Sequence, residues 1–507
     1  MTNKPFTAIS LEKLLSLTES RQLEFKRVGD KHGRILETIC AFANSDGGLL
    51  VIGVGDAKEL KPGERPERRL WGIEENAESF DHLQRLVRER FTPPIESNLL
   101  NWTDISCILR DGRLGRVVVL HVSKSDKVHS VHGGGTWTRM DSSNGQLSAA
   151  EILELSYRRG VKSSEADPLP IDLRLLETAT WQTFVTSRGL RNGTFAEQLM
   201  RLGLATEANG VVLPRKAAVL LFAAEPGSLL AAHGARADVR VLVYDGKAAT
   251  PTATPNYRKQ PRTVRGPLIE QIDKTVRLVL DEIAQGVTLT GSGFKARHAY
   301  PERVVKEAIV NAVIHRDYRL NRDIFIRIFD DSIEVESPGT FLGNITPENI
   351  AKAGSRARNP LIASNLREFP NAPNIDAGEG VKAMFAEMNS ANLYPPQYRQ
   401  STDAAVEHVT LTLLNLERPS AWDEVSDWID RNGPIGNSKL REIAKIDTLE
   451  ASRMLKQWVE RGLLAAVPDR GRRNAAYIKP TQTLGEAGLF SFSEGFANND
   501  DDLENTQ

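Results

Sequence analysis

Glu19-Ser20-Arg21-Gln22-Leu23-Glu24-Phe25-Lys26, and after it Ala41-Phe42-Ala43-Asn44-Ser45-Asp46-Gly47-Gly48-Leu49-Leu50-Val51-Ile52-Gly53-Val54, decide how the first region is read. Leu23–Lys26 reads as a strand and Gly33–Asn44 as a helix. Asn44 and Ser45 close that helix, and Gly47 and Gly48 suit a turn with unusual backbone angles. Leu49–Val54 is apolar, rich in branched residues and bounded by glycine, which is the pattern of a buried strand. Glu24 and Lys26 stand two apart on a strand and share a face. Asp56 follows the second strand at a loop position where functional side chains collect. If the two strands are neighbours, Glu19, Glu24 and Asp56 converge beside a lysine. Such a cluster would hold a hard divalent cation and activate water on it. Spacing alone favours the plainer alternative, solvated surface charges.

The two runs, in this order, resemble the paired signatures of the Schlafen AlbA-type domain over roughly residues 10–155. The resemblance implies an α/β domain that binds nucleic acid. Some animal members cleave structured RNA with two glutamates and an aspartate. Carried over, these are Glu19, Glu24 and Asp56, holding Mg2+ or Mn2+ with Lys26 beside them. The family often has two acidic residues after Gly-Val, whereas here Gly55 precedes Asp56. Arg21, Lys26, Arg27, Lys31 and Arg34 make the early segment basic. Arg139, with His129, His132 and Trp137, would add phosphate and stacking contacts. The histidines show no metal spacing, and a solvated loop is the simpler account of them.

A second run, Glu307-Ala308-Ile309-Val310-Asn311-Ala312-Val313-Ile314-His315-Arg316-Asp317-Tyr318, carries another chemistry. Glu307 and Asn311 are four apart and share one helical face. A glutamate so placed can orient water, and an amide oxygen can complete the shell of a phosphate-bound magnesium ion. The pair alone favours the plainer alternative, a solvated glutamate and a capping asparagine on an amphipathic helix. With Ile333–Gly339, Arg358-Asn359-Pro360 and Gly378-Glu379-Gly380-Val381, it resembles the GHKL ATPase superfamily over residues 299–395. The likeness is to the divergent branch that follows Schlafen-type domains in bacterial proteins. The resemblance implies ATP, with Glu307 as base and Asn311 on the metal. His315, Asp317, Ser337, Gly339, Gly378 and Gly380 would surround the nucleotide. Ser337 stands where typical members read adenine with an aspartate. No Gly-x-x-x-x-Gly-Lys-Ser/Thr loop occurs, so no P-loop motor is expected.

The rest of the chain bounds these readings. Its 507 residues suggest several domains, and 40% hydrophobic and 26% charged residues make an ordinary globular composition. A net charge of −1 excludes a globally basic binder but not a local basic patch. No apolar run approaches a membrane span, and Met1–Ser10 lacks a secretory pattern, so a cytoplasmic protein with two free buried thiols, Cys40 and Cys107, is expected. The expected class is α+β multidomain. Its parts are a Schlafen AlbA-type α/β domain (10–160), a connecting α/β region (170–260), a GHKL-like α/β sandwich (261–416), a winged helix (420–480) and an acidic disordered tail (481–507). Ser163–Pro170 reads as a linker. The third helix of the winged-helix pattern offers Arg453 and Lys456, and its wing offers Arg470, Arg472 and Arg473. Dimer contact is the alternative use of that unit. Two functions compete. One is a metal-dependent RNA or single-stranded DNA endonuclease controlled by ATP. The other is a non-enzymatic, ATP-sensing, DNA-binding transcriptional regulator. A homo-oligomer is expected in either case.

Overall fold

A computed structural model describes residues 11–61, 63–250, 254–290, 293–298, 300–354, 356–373, 379–401, 407–419, 421–468, 470–471 and 474–480. Gly378, Arg472, Arg473 and the expected tail at 481–507 lie outside these residues. No helix among the described residues is long and apolar enough to cross a membrane. Cys40 and Cys107 are both free and buried.

The N-terminal unit is built on a four-stranded sheet in the order Leu23–Lys26, Gly48–Ile52, Leu114–Val122, Leu100–Ile108. The first pair is parallel, because helix His32–Asn44 carries the chain back between them. All five residues of Gly48–Ile52 are buried, which is why its sequence shows no polar alternation. Leu23, Phe25, Leu49 and Val51 pack with Leu14 and Leu15 on one face. Leu50 and Ile52 pack with Ile35, Ile39 and Phe42 on the other. Register sets Glu24 beside Leu50 and Lys26 beside Ile52, so both lie on the helix-covered face. The hairpin Trp137–Met140 and Ser143–Gln146 packs on that helix. Asn44 fastens it there by donating to the carbonyls of His129 (2.8 Å) and Trp137 (2.9 Å).

The expected linker is a docked segment. Ser164 and Glu165 are buried, and the Glu165 carboxylate accepts the backbone N–H groups of Leu361 and Ile362, each at 2.8 Å. It thereby caps the helix Pro360–Leu366, whose first N–H groups have no partner within the helix.

The central unit has a six-stranded sheet in the order Arg262–Val264, Val239–Val243, Ile324–Ile328, Ser332–Pro338, His408–Leu414, Gln397–Ser401. Helices Leu268–Glu282, Glu302–Ile314 and Gly380–Ser390 contribute to the apolar core on one face of it. This corrects the expected boundary at 260. Val239–Val243 is an inner strand, parallel to Ile324–Ile328, and one core runs from Leu169 to Leu413.

The C-terminal unit has helices Trp422–Asn432, Asn437–Ala444 and Thr448–Glu460, with three short strands at Ile435–Gly436, Ala465–Ala466 and Ala476–Ile478. It is anchored to the central unit. Trp458 Nε1 donates to Tyr394 Oη at 2.9 Å, Leu414 joins its core, and Arg461 pairs with Asp331.

Candidate functional site

Helix Glu302–Ile314 buries Val304, Val305, Ala308, Ile309, Ala312 and Val313 against the sheet. Its opposite stripe, at spacings of three and four, brings Arg303, Lys306, Glu307 and Asn311 to a cavity of about 410 Å³. That is within the range of small-molecule sites, about 300–1,000 Å³. Ser337 and Gly339 line it from the end of strand Ser332–Pro338, and Gly380 lines it from the start of helix Gly380–Ser390. Phe341, Leu342 and Ile345 supply an apolar wall. Five basic side chains (Arg303, Lys306, Arg356, Arg358, Lys382) and two acidic ones (Glu307, Glu379) border it. Arg303, Arg356 and Arg358 are paired with Glu387, Asp126 and Asp317, which leaves Lys306 and Lys382 for a polyanion. A helix N-terminus adds favourable backbone dipoles for phosphate.

Asn311 Nδ2 donates to Glu307 Oε1 at 3.0 Å. The amide oxygen therefore points away from the carboxylate and remains available to a cation. Burial raises the Glu307 pKa above the ordinary glutamate value, against the lowering effect of Asn311, Arg303 and Lys306. A carboxylate so shifted is better matched to accepting a proton. A Cβ at Gly380 would overlap the Glu307 carboxylate, so the glycine lets that carboxylate stand against the start of the helix. Ser337 Oγ donates to the carbonyl of Ala312 at 2.8 Å, which leaves its lone pairs to accept an N–H. His315 is open to the cavity on one side. Protein on its other sides, and then the Arg358 charge, lower its pKa, so it is neutral at pH 7.

Asp317, expected beside the nucleotide, lies behind the wall. Its N–H donates to the Pro338 carbonyl (2.8 Å) and its carboxylate holds Arg319 at 2.6 Å and Arg358 at 3.5 Å. Burial opposes its ionisation, but the Arg319 hydrogen bond and the Arg358 charge leave its pKa below the ordinary aspartate value. Gly339 has φ +111°, and a Cβ there would meet Asp317 Cβ at 2.8 Å. The glycine thus serves the turn that carries Asp317.

In the N-terminal unit the expected carboxylate cluster is only partly assembled. Burial raises the Glu19 pKa, and nearby Glu24 and, more weakly, Asp56 raise it further. Each group nevertheless has its own partner. Glu19 Oε1 accepts from the Phe25 N–H at 3.1 Å, and Asp56 accepts from the Lys58 N–H at 3.0 Å. Glu24, 6% exposed, sits between Lys26 and Arg139, with Arg139 Nη1 at 3.0 Å. Among the described residues no three His, Cys, Asp or Glu side chains form a group that could hold a metal ion.

Arg139 is corrected as a nucleic-acid contact. Its side chain has no exposed surface, and it donates to the Ser20 carbonyl at 2.6 Å and to Asn144 Oδ1 at 2.6 Å. His129 is likewise an internal residue, held between the Pro93 carbonyl and Ser125 Oγ at 2.7 Å each. Lys31 and Arg34 are exposed, as expected of phosphate contacts.

Arg27 is half-buried. It pairs with Glu75 and lies over the Trp71 ring, 3.6 Å from its centroid. Arg110 lies over the same ring at 3.8 Å. Trp71 and Arg110 escaped the sequence reading, although Arg65-Pro66-Glu67-Arg68-Arg69 just before Trp71 is a basic run next to an aromatic residue. The cavity cations Arg303, Lys306, Arg356 and Lys382 escaped it too, and Arg358 entered it only as part of the Arg358-Asn359-Pro360 motif, without a role. Helical spacing alone could have linked Arg303 to Glu307. In the C-terminal unit Arg453 and Lys456 are exposed on helix Thr448–Glu460, and Lys456 pairs with Glu460 at 3.7 Å.

Residues 19–148 match the family model described as "Schlafen, AlbA_2". Residues 321–412 match the one described as "Putative ATP-dependent DNA helicase recG C-terminal". These similarities suggest a nucleic-acid-related, ATP-dependent protein. Helix Glu302–Ile314, with Glu307 and Asn311, lies just before the second match. No curated protein matches the chain. A solved structure, the DIP2311 protein from Corynebacterium diphtheriae, matches 90% of this chain and 95% of its own, at 16% identity and a TM-score of 0.39.

Proposed function

We propose that this chain is a nucleic-acid-binding protein whose grip is set by ATP and magnesium in the central cavity. The observation that carries the reading is the cavity wall. Glu307 and Asn311 share one helical stripe there, facing a glycine-opened helix N-terminus and a surplus of cations. Magnesium would be held by the Asn311 amide oxygen together with the nucleotide phosphates, and it would neutralise phosphate charge. Lys306 and Lys382, exposed and unpaired with any carboxylate among the described residues, are placed for the same phosphates. Ser337 takes the base amino group as acceptor. Glu307 orients water if the bound nucleotide is hydrolysed.

Nucleic acid is bound by the N-terminal unit through Lys31, Arg27 and Arg110, the last two seated on Trp71, and by residues 422–478, read as a winged helix, through Arg453 and Lys456. Lys26, paired with Glu24 on the helix-covered face, is not among the contacts. Of the two functions weighed from sequence, the binding protein is preferred to the nuclease, because the ion pairs to Lys26 and Arg139 occupy the Glu24 carboxylate. Calorimetry with ATP and magnesium, then fluorescence anisotropy with labelled RNA and DNA with and without nucleotide, tests the reading. Trp71→Ala removes the ring on which Arg27 and Arg110 rest and is expected to lower nucleic-acid affinity about tenfold, since seating a guanidinium on an aromatic ring is worth about 0.5–2 kcal/mol. Absence of heat with ATP removes the switch. Metal-dependent cleavage would restore the nuclease.

A further inference from the structure

The six-stranded sheet has a second face. Val239, Val241, Ile324, Ile326, Ile333 and Val335 enter the core, so the residues between them point the other way. Strand register sets these in rows. One row reads Thr263, Arg240, Phe325, Glu336, Thr410, Arg399, and the next reads Leu242, Arg327, Glu334, Thr412, Gln397.

Phe325 is only half-buried, and three guanidinium groups surround its ring. Arg327, Arg322 and Arg240 lie 5.3, 5.5 and 5.8 Å from its centroid. Glu336 pairs with Arg322 and Arg327. Arg240 has no carboxylate among the described residues. Arg399, whose side chain is 66% exposed, reaches Glu334 only at 3.8 Å. Four arginines thus face two carboxylates. Beside them Tyr244 stacks on Phe329 at 5.0 Å, and the partly exposed Tyr257 packs on Tyr244 at 5.0 Å. The C-terminal unit covers the far end of this face, around Leu414 and Asp331, and Gly462 approaches Gln397 in the second row. Glu336, Thr410, Thr412 and Leu242 are buried, and Arg240, Phe325 and Arg399 keep exposed surface. The row from Arg240 to Arg399 crosses four strand spacings of about 4.8 Å, about 19 Å in all, enough for about three nucleotides.

We propose that this face binds single-stranded RNA. Guanidinium groups suit phosphates, and Phe325 and Tyr257 offer rings to unpaired bases. A duplex keeps its base faces stacked and could use only the charges. The carboxylates decide between RNA and DNA. Glu334 would repel phosphate unless a donor came with it, and the ribose 2′-hydroxyl is that donor. The inference rests on the nucleic-acid reading of the chain but not on the N-terminal surface, and its test separates the two.

The full-length chain is titrated with a fluorescein-labelled oligouridine and, separately, the matching oligodeoxyuridine. Arg240→Ala combined with Arg399→Ala is expected to weaken RNA binding about tenfold and flatten its salt dependence by about 1.4 in log–log slope, at about 0.7 per lost single-strand phosphate contact. The thermal midpoint checks folding, and Arg240→Lys with Arg399→Lys should recover most of the affinity. As a readout independent of mutation, 4-thiouridine RNA should crosslink to the segment holding Phe325. Unchanged affinity and slope in the double variant, with Trp71→Ala still harmful, would overturn this surface while leaving the nucleic-acid reading intact. Equal affinity for the deoxy strand would overturn the RNA assignment. A wild type that binds neither strand would end both.

Discussion

Arg319 of the central unit holds Glu154 of the N-terminal unit with two guanidinium nitrogens, Nη1 at 2.5 Å from Oε2 and Nη2 at 3.2 Å from Oε1. The same Nη2 reaches Asp317 at 2.6 Å, and Asp317 touches Arg358 in the cavity wall. A chain of ion pairs thus joins the cavity to the other unit, and Arg356 with Asp126 makes a second bridge at 3.1 Å. Glu154→Ala is expected to reduce the effect of ATP on nucleic-acid affinity while changing ATP affinity itself less than threefold. Anisotropy with and without nucleotide reads both. An undiminished ATP effect would make the bridge a mere fastening.

Gly380→Ala places a methyl group where Glu307 Oε1 stands. Either the carboxylate turns away from Asn311 or helix Gly380–Ser390 withdraws. Both should weaken magnesium-dependent ATP binding tenfold or more in calorimetry, with a small change in melting temperature. Asn311→Ala should remove the magnesium dependence and leave weaker, metal-independent binding. If Gly380→Ala binds ATP normally, the close approach has no part in nucleotide binding.

Arg139→Ala removes one of the two cations beside Glu24, leaving Lys26, and takes the donor from the carbonyls of Ser20 and Arg21. Breaking a buried pair by deleting one member costs about 3–5 kcal/mol. Urea denaturation should show a loss of that order, whereas Lys31→Ala on the surface should shift stability by about 0.5 kcal/mol or less. A change below about 1 kcal/mol for Arg139→Ala would mean that water takes over the site.

The N-terminal strand–helix–strand was legible because its cues are local: an apolar run, bounding glycines and a helix-length segment between them. The Glu307–Asn311 stripe was legible from helical spacing. The role of Arg139 was not, because its partner Glu24 is far off in sequence and nothing near Arg139 announces a buried acid. The same holds for Trp71, which meets Arg110 only once the sheet has formed. The segment 163–170 looked like a linker from its serines and prolines. What docks it is Glu165, and the two N–H groups that Glu165 accepts are identified only by the tertiary fold.

Burial raises the Glu165 pKa to about 7, against two N–H donors that favour the charged form. The folded value lies above the unfolded one, so this group's contribution is fully present below about pH 4.5. It is lost as pH rises through about 7, because the unfolded chain releases the proton first. Stability should therefore fall by about 3 kcal/mol between these limits, since each pH unit crossed in that window costs about 1.36 kcal/mol. Denaturation midpoints at pH 5, 6, 7 and 8 measure it, and Glu165→Gln should flatten the slope. An equal slope in that variant would assign the pH response to another group.

Val239–Val243 lies inside the sheet that carries the cavity, between a strand on its own side of residue 264 and one beginning at Ile324. The portion at 321–412 is therefore not a cassette that recombination could lift out intact. Cut there, or at 260, it would expose the open hydrogen-bonding edge of Ile324–Ile328 and half of an apolar core, and such edges invite pairing between copies. A genetic exchange that preserves the core under the cavity has to begin upstream of Leu169, and one that also keeps helix Pro360–Leu366 capped has to include Glu165.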